Sequence, residues 1–529
     1  MRIMGLSLAA GVAVAVSAIS PADSATLRWA FQGQLNALDP YTLNETFTLG
    51  QLGNVYEGLT RRGPDLEIEP ALAESWEIIE PTRWRFHLRQ GVKFHNGNDF
   101  NADDVVFSAE RVQSQNSDLK TRLPGDVKVE KVDDHTVDFV LSQPNPILHY
   151  EWDTWYIMDK EWSEENGATE VVSASDRSDN RAAFETNGTG PYTIDSHEPG
   201  VRTVFKANPD WWDEIEGNIE EVVFTPISQD STRVAALLSG EVDLVDPVPV
   251  QDVARVEQNP NTDALTGPEL RTIFLGFNSM DDELSSSDIK GENPFKDARV
   301  RKALYQAIDI EAIKQKVMRG MSEPSALLIS PLLYDRAGEF ERHAYDPEAA
   351  MQLLEEAGYG DGFTVTMDCP NDRYVNDEAI CQAVASMVAK IGVRIDLNAQ
   401  PKAQYFGKVL ATGGYDTDFY LLGWTPSSMD SYNIFANLSG CRDETGKGSP
   451  FNLGGWCNEK VDELAGQVLT ENDPDKRNEL IFEAFSIMHD EVSHIPLHQQ
   501  SLAWGKSTKL DLVQRADNQV LFKWMTLSE

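Results

Sequence analysis

The first clear periodicity is two. Leu27, Trp29 and Phe31 alternate with Thr26, Arg28 and Ala30, which predicts a strand over 26–31. Trp84, Phe86 and Leu88 alternate with Arg85, His87 and Arg89, an equally plain half-buried strand, and His95-Asn96-Gly97 reads as a turn. The period then lengthens. Asn101 is placed to cap a helix with Asp103 and Asp104 in its first turn and Val105, Ser108, Ala109 and Val112 along one face. Asp297 opens a helix through Val300, Leu304, Ala307 and Ile308, and Asp309 opens another that stops near Gly320. Asp346-Pro347 caps a third, with Ala350, Leu353, Leu354 and Ala357 at helical spacing and Gly358 as its stop. Phe363, Val365 and Met367 alternate with Thr364 and Thr366, a helix follows over 377–390, and a second strand runs over 393–397. Strand, helix and strand joined by short connections predict a right-handed crossover in a parallel or mixed sheet, hence an α/β protein.

The 529 residues correspond to about three to four compact units, each able to bury a core. Two polar stretches, 163–187 and 281–293, read as surface excursions and candidate boundaries. Lys and Arg number 45 against 86 Asp and Glu, a net charge of −41, so the surface lacks the positive surplus that nucleic acid or an anionic membrane demands. At the N-terminus Arg2 precedes an apolar run from Ile3 to Ile19 followed by small residues, the pattern of a secretory signal over 1–25. No cysteine precedes Cys369, which closes the lipid-anchor route. The four cysteines, Cys369, Cys381, Cys441 and Cys457, fit two disulfides in an exported chain; three pairings are possible, and 369–381 with 441–457 closes the shortest loops.

A search for chemistry returns little. The nucleophile-elbow, H-E-x-x-H and phosphate-loop patterns are absent. Gly188-Thr189-Gly190 lacks the third glycine of a dinucleotide loop and reads as a turn before a strand at Tyr192. His489, His494 and His498 fall within ten residues, but Pro496 blocks a helix joining the last two, so they read as a helix end running into a strand with two histidines on its wetter face rather than as a metal site. With 86 carboxylates, an acidic pair for an exported hydrolase could always be nominated and carries no specificity. Trp424 stands out because an apolar strand stops at Gly423-Trp424 and opens into a polar loop, where a ring can project into a cleft.

Leu72-Ala73-Glu74-Ser75-Trp76, the run from Trp84 to Gly97, and Phe100-Asn101-Ala102-Asp103-Asp104-Val105 together resemble the signature region of the family 5 extracytoplasmic solute-binding proteins of ABC transporters, the peptide and nickel-binding group. Gly188-Thr189-Gly190-Pro191-Tyr192, Asn208-Pro209-Asp210-Trp211-Trp212, the run from Leu237 to Asp243, the run from Pro294 to Leu304, and Ile495-Pro496-Leu497 extend the likeness in family order. The resemblance implies a two-lobed, hinged periplasmic binding protein fold of type II, with mixed sheets flanked by helices and the larger lobe split in two. On this chain that places a main subdomain at 26–60, 185–285 and 496–529, an inserted subdomain at 61–184, and the second lobe at 286–495. It implies a monomeric periplasmic receptor, without cofactor or catalysis, that hands short peptides to the permease subunits of an inner-membrane importer. A nickel chelate, haem, an oligosaccharide or an opine-like compound is the alternative cargo. By the family pattern Asp430 would hold a peptide ammonium and Arg373 a terminal carboxylate, with Tyr374, Trp424 and Thr425 beside them. A zwitterion in a water-poor cleft needs such an anion and cation held apart.

Overall fold

The computed structural model describes residues 25–120, 127–172, 180–443 and 448–528, so the expected export signal falls, apart from Ala25, outside the described residues. The expected elements form where the periodicities place them. Arg83–Leu88 alternates half-buried and buried side chains. Asn101 caps the helix Ala102–Val112 and exchanges reciprocal hydrogen bonds with Asp104, satisfying two backbone N–H groups that a helix start would otherwise orphan. Pro347–Glu356 starts on an Asp346 cap with proline in its first turn, and Gly358 ends it at a φ of 90°. Phe363–Pro370 and Val393–Gln400 pair in parallel across the helix Asp377–Val388, the crossover read from the sequence.

One eleven-stranded sheet threads the molecule. Its order is Val393–Gln400, Phe363–Pro370, Phe419–Trp424, Thr262–Phe277, Ile495–Ser507, Leu244–Asp246, Ala25–Phe31, Ile219–Pro226, Arg202–Ala207 and Tyr192–Glu198, with Ser322–Pro324 added beside Ile495–Ser507. The two longest strands, Thr262–Phe277 and Ile495–Ser507, are antiparallel neighbours in the middle and belong to both lobes. The apolar cores divide on either side of them. Trp29, Trp84, Phe139, Trp152 and Trp504 belong to a large cluster in the first lobe, while Ile273, Leu304, Val365 and Phe419 belong to one in the second. A smaller cluster accompanies each. Trp29 shows how the first is built: its ring meets Phe47, Phe224 and Phe522 at 5.7, 4.8 and 5.8 Å, from segments far apart in sequence. Each such pair adds about 0.5–1.5 kcal/mol beyond area burial.

The four-stranded sheet of Ala73–Glu80, Arg83–Leu88, Thr136–Val140 and Lys128–Asp133 stands apart from the main one. Motif segments join the two. His95 donates its N–H to Gly188 O at 2.8 Å and Gly190 donates to Val55 O at 2.9 Å, an approach so close that a side chain at Gly188 or Gly190 would strike the Val55 carbonyl. Asn96, Asn98 and Asn187 each donate a side-chain N–H to one oxygen of buried Asp159 at 2.9 Å. The 163–187 stretch is therefore more than a surface excursion: Ser163, Ala168, Asn180 and Asn187 are buried. Both disulfides join the expected partners, Cys369 with Cys381 and Cys441 with Cys457.

The histidine expectation needs correcting. His494 and His498 are buried rather than on a wet face, because the strand Ile495–Ser507, which bears His498 and starts just after His494, lies mid-sheet with both sides covered. Pro324 pairs beside His498, and Phe274 meets His494 edge-on at 5.3 Å. Burial first, and the nearby charges of Arg301 and Arg342 second, push the two rings down to about 3. Below about pH 6.5 the unfolded chain takes up protons that these rings refuse, so stability falls toward pH 3 by roughly 1.4 kcal/mol per pH unit per ring. Asp246 and Asp104, raised by burial to about 8 and about 7, act in the opposite direction. The informative quantity is a difference. Thermal midpoints measured from about pH 7 to pH 4 should fall less steeply for His498→Leu than for the wild type, and equal slopes would rule out a neutral buried ring.

Candidate functional site

The ladder between the two shared strands shifts register twice, and the wider gap follows Pro268. Thr262 to Pro268 pair with Ser507 to Ser501, and pairing resumes only at Thr272 with Gln499. Pro268 has no N–H to give. The residues between leave the partner strand, and Leu270 N turns instead to Ala516 O at 3.0 Å. A bulge of this kind re-aims side chains, and here it releases Glu269 and Arg271 at the junction of the lobes. Arg271 Nε donates to Thr425 Oγ1 at 3.3 Å, and its other end lies 3.5 Å from Glu269 Oε1. Gln500, on the opposite shared strand, donates to Glu269 Oε2 at 2.7 Å and accepts the Val375 N–H at 3.1 Å.

Arg373 arrives from the other side. It lies on the turn between Phe363–Pro370 and Asp377–Val388, whose shape follows from two residues. Asn376 takes a φ of 55°, which asparagine adopts more readily than most side chains, and anchors itself to Val317 O at 2.8 Å. Asp377 accepts the N–H groups of Arg373 and Tyr374, both at 2.9 Å. The Tyr374 ring is buried with its hydroxyl 3.3 Å from Gly423 O, and burial raises its pKa. Two guanidiniums share that ring: Arg373 lies 5.2 Å and Arg271 5.9 Å from its centroid. Arg373 is open to solvent yet enclosed by enough protein for desolvation, and next the Arg271 charge, to lower its pKa. Both properties together describe a cleft wall. Glu45 of the first lobe also acts on Arg373 electrostatically, while its carboxylate caps the helix Thr46–Leu52.

The loop after Phe419–Trp424 completes the wall. Trp424 is half-buried; its indole N–H goes to Asn433 Oδ1 at 2.8 Å and its ring tilts against Phe451 at 4.8 Å. Thr425 faces Arg271. Asp430 sits further along and is engaged: Arg477 grips it with two hydrogen bonds of 2.9 and 2.7 Å, and the Tyr432 N–H adds a third. The anion expected to meet a ligand ammonium thus already has a cation. Beside it, Arg62 of the first lobe, paired with Asp153 at 2.7 Å, reaches Ser428 O at 3.4 Å, a direct contact between lobes. Arg373, Tyr374 and Thr425 therefore come together around Arg271, whereas Asp430 belongs to a separate ion-paired cluster. Arg271, Glu269 and Gln500 escaped the sequence reading; Pro268 inside a strand-like run was the available signal.

A second concavity lies within the first lobe, lined among others by Glu57, Arg61, Asp153, Arg515 and Lys523. Most of its charges are spent internally, Arg61 on Asp213 and Glu69, Arg515 on Asp517, and Glu57 on Trp212 and Thr189, while Lys523 lies 5.5 and 4.7 Å from the Trp211 and Trp524 rings. Among the described residues no group of three or more His, Cys, Asp or Glu could hold a metal ion, and no helix is long and apolar enough to cross a membrane.

The Asp430–Arg477 pair makes a measurable claim. Asp430→Asn or Arg477→Gln alone strands a largely buried charge and should cost about 1–3 kcal/mol, whereas the double variant should cost clearly less than their sum. Urea denaturation of the four proteins measures this; strictly additive losses would show that the two groups are not coupled.

Comparison with known proteins agrees with this architecture. The family model described as bacterial extracellular solute-binding proteins, family 5 Middle, matches residues 67–446. The glutathione-binding protein GsiB of Salmonella typhimurium is 26% identical over 514 residues, which covers 95% of this chain and 94% of that protein. The dipeptide-binding protein of Escherichia coli K12 is 28% identical over 516 residues, covering 92% and 91%. Among solved structures, the ABC transporter-associated periplasmic binding protein DppA from Helicobacter pylori, in complex with the peptide STSA, matches with a TM-score of 0.76 at 22% identity over 96% of this chain and 98% of that one. A family match over well more than half the chain, with likenesses running its length, places this protein in the family 5 bacterial extracellular solute-binding proteins.

Proposed function

We propose that this protein is the substrate-receiving component of an ABC importer, binding short peptides in the cleft at the Arg271–Arg373 cluster and passing them unchanged to an inner-membrane permease. The observation that carries the reading is Arg373. It is a guanidinium on a cleft wall, packed over Tyr374, with no carboxylate in ion-pair range among the described residues. A planar fork of N–H donors left open in a water-poor site suits a carboxylate bidentately. The glutathione-binding and dipeptide-binding names of the two relatives point to the same ligand class. Arg373, Tyr374 and Thr425 are the proposed direct contacts, with Trp424 as a wall, while Asp430 holds its loop through Arg477.

The apolar cores support a first body that includes the 61–184 insertion and a second body around 286–495, with the division falling inside the shared strands, since Ile273, Phe277, Leu284 and Leu497 pack with the second body. Ligand shifts such a pair toward closure only through contacts that the closed form adds. The receptor acts in the periplasm, as a monomer without a lipid anchor.

In thermal-shift measurements with di- to tetrapeptides, a ligand at about a hundred times its dissociation constant should add about 2.7 kcal/mol of stability and raise the midpoint by several degrees. A panel in which no peptide stabilises the protein while a metal chelate, haem or sugar does would overturn the peptide reading. Arg373→Gln should weaken a bound peptide about tenfold to a hundredfold with little change in the ligand-free midpoint, since its side chain is exposed.

A further inference from the structure

We infer that the cleft selects ligands with two negative charges, peptides that carry a side-chain carboxylate besides the terminal one, and that Arg271 is the residue that reads the second charge. The inference rests on the proposed peptide-receptor role and deepens it.

Two like charges occupy one corner of the cleft. Arg373 and Arg271 both lie over the Tyr374 ring, Arg373 from the turn after Phe363–Pro370 and Arg271 from the break in the shared ladder. Their mutual repulsion is visible in the lowered pKa of Arg373, to which Arg271 contributes second after burial. Such a juxtaposition opposes folding unless something compensates it, and the protein compensates it only in part. Arg271 has five N–H donors, of which one reaches Thr425 Oγ1 at 3.3 Å and one lies 3.5 Å from Glu269 Oε1. That carboxylate is shared, because Gln500 holds its other oxygen at 2.7 Å. Arg373 has no carboxylate in ion-pair range among the described residues.

The anionic side of the site points the same way. The carboxylate expected to meet a ligand ammonium, Asp430, is already gripped by Arg477 through both oxygens. Glu45 spends its carboxylate on the Phe47 and Thr48 N–H groups and the Thr48 hydroxyl. What the cleft leaves unmatched is positive. In a protein of net charge −41, only local geometry can make it so. One carboxylate on Arg373 leaves the remaining donors of Arg271 unfilled; a second carboxylate within the reach of a short peptide fills them.

The test is calorimetric titration of the full mature protein with Ala-Glu, Ala-Gln and Ala-Ala at pH 7.5 and low salt. Glu and Gln have the same shape and differ in charge, so their ratio isolates the second carboxylate. Ala-Glu should bind about tenfold or more tighter than Ala-Gln. Arg271→Gln should bring that ratio close to one by weakening Ala-Glu more than Ala-Gln. Arg271→Lys, which keeps the charge and loses the fork, should retain part of the preference and serves if Arg271→Gln does not fold. Equal affinity of the wild type for Ala-Glu and Ala-Gln overturns the inference, as does a preference that survives Arg271→Gln. Tight, charge-blind peptide binding would leave the receptor reading standing and this one refuted. Arg271-dependent binding of glutarate, with no peptide binding at all, would uphold the two-charge site and refute the peptide reading.

Discussion

Everything in the cleft depends on two strands that belong to both lobes. Thr262–Phe277 and Ile495–Ser507 pair over most of their length, and a ladder of that extent is stiff along its axis and soft only where hydrogen bonds are missing. The widest gap follows Pro268, with a smaller shift between Ile273 and Phe274. Flexibility and chemistry therefore coincide: the residues excused from pairing, Glu269 and Arg271, are the ones that reach the opposing wall. Arg271 stays beside Thr425 because the next pair along, Thr272 with Trp424, is held in the same ladder, and each core is closed on its own side.

Charge is arranged at two ranges. The excess of carboxylates is a property of the outer surface, where its field is screened within about 8–10 Å at physiological salt. Within the cleft, low dielectric and short distances let a few groups dominate. Asp430 with Arg477, Arg62 with Asp153, and Arg515 with Asp517 neutralise each other before any ligand arrives. The Arg271–Arg373 corner is the exception, and Tyr374 eases it by offering both cations the face of one ring.

Much of this was legible in the sequence, and the reasons are local. The capped helix after Asn101, the proline-started helix at Pro347 and the crossover from Phe363 to Gln400 each follow from periodicity and end signals that act within a few residues. The resemblance extended that reading to lobes and hinge. What escaped was tertiary. Near Arg271 only Pro268 hints that a ladder breaks there, and the partner strand is more than two hundred residues away. The engagement of Asp430 by Arg477 is invisible for the same reason, and the burial of His494 and His498 depends on Ser322–Pro324 arriving alongside. Arg373, Tyr374 and Thr425 were nominated through motif position; their convergence around Arg271 needed coordinates.

The turn that presents Arg373 is closed twice, by the Asp377 carboxylate on two backbone N–H groups and by the bond between Cys369 and Cys381 that ties the strand end to the following helix. Only the covalent closure depends on the surroundings. Where thiols stay reduced, before export is complete, the same amino acids would carry their guanidinium on a loop with a loosened base, and the entropy of ordering it would fall on the ligand. Oxidation transfers that cost to folding. The disulfide thus ties the rigid presentation of this guanidinium to an oxidising compartment.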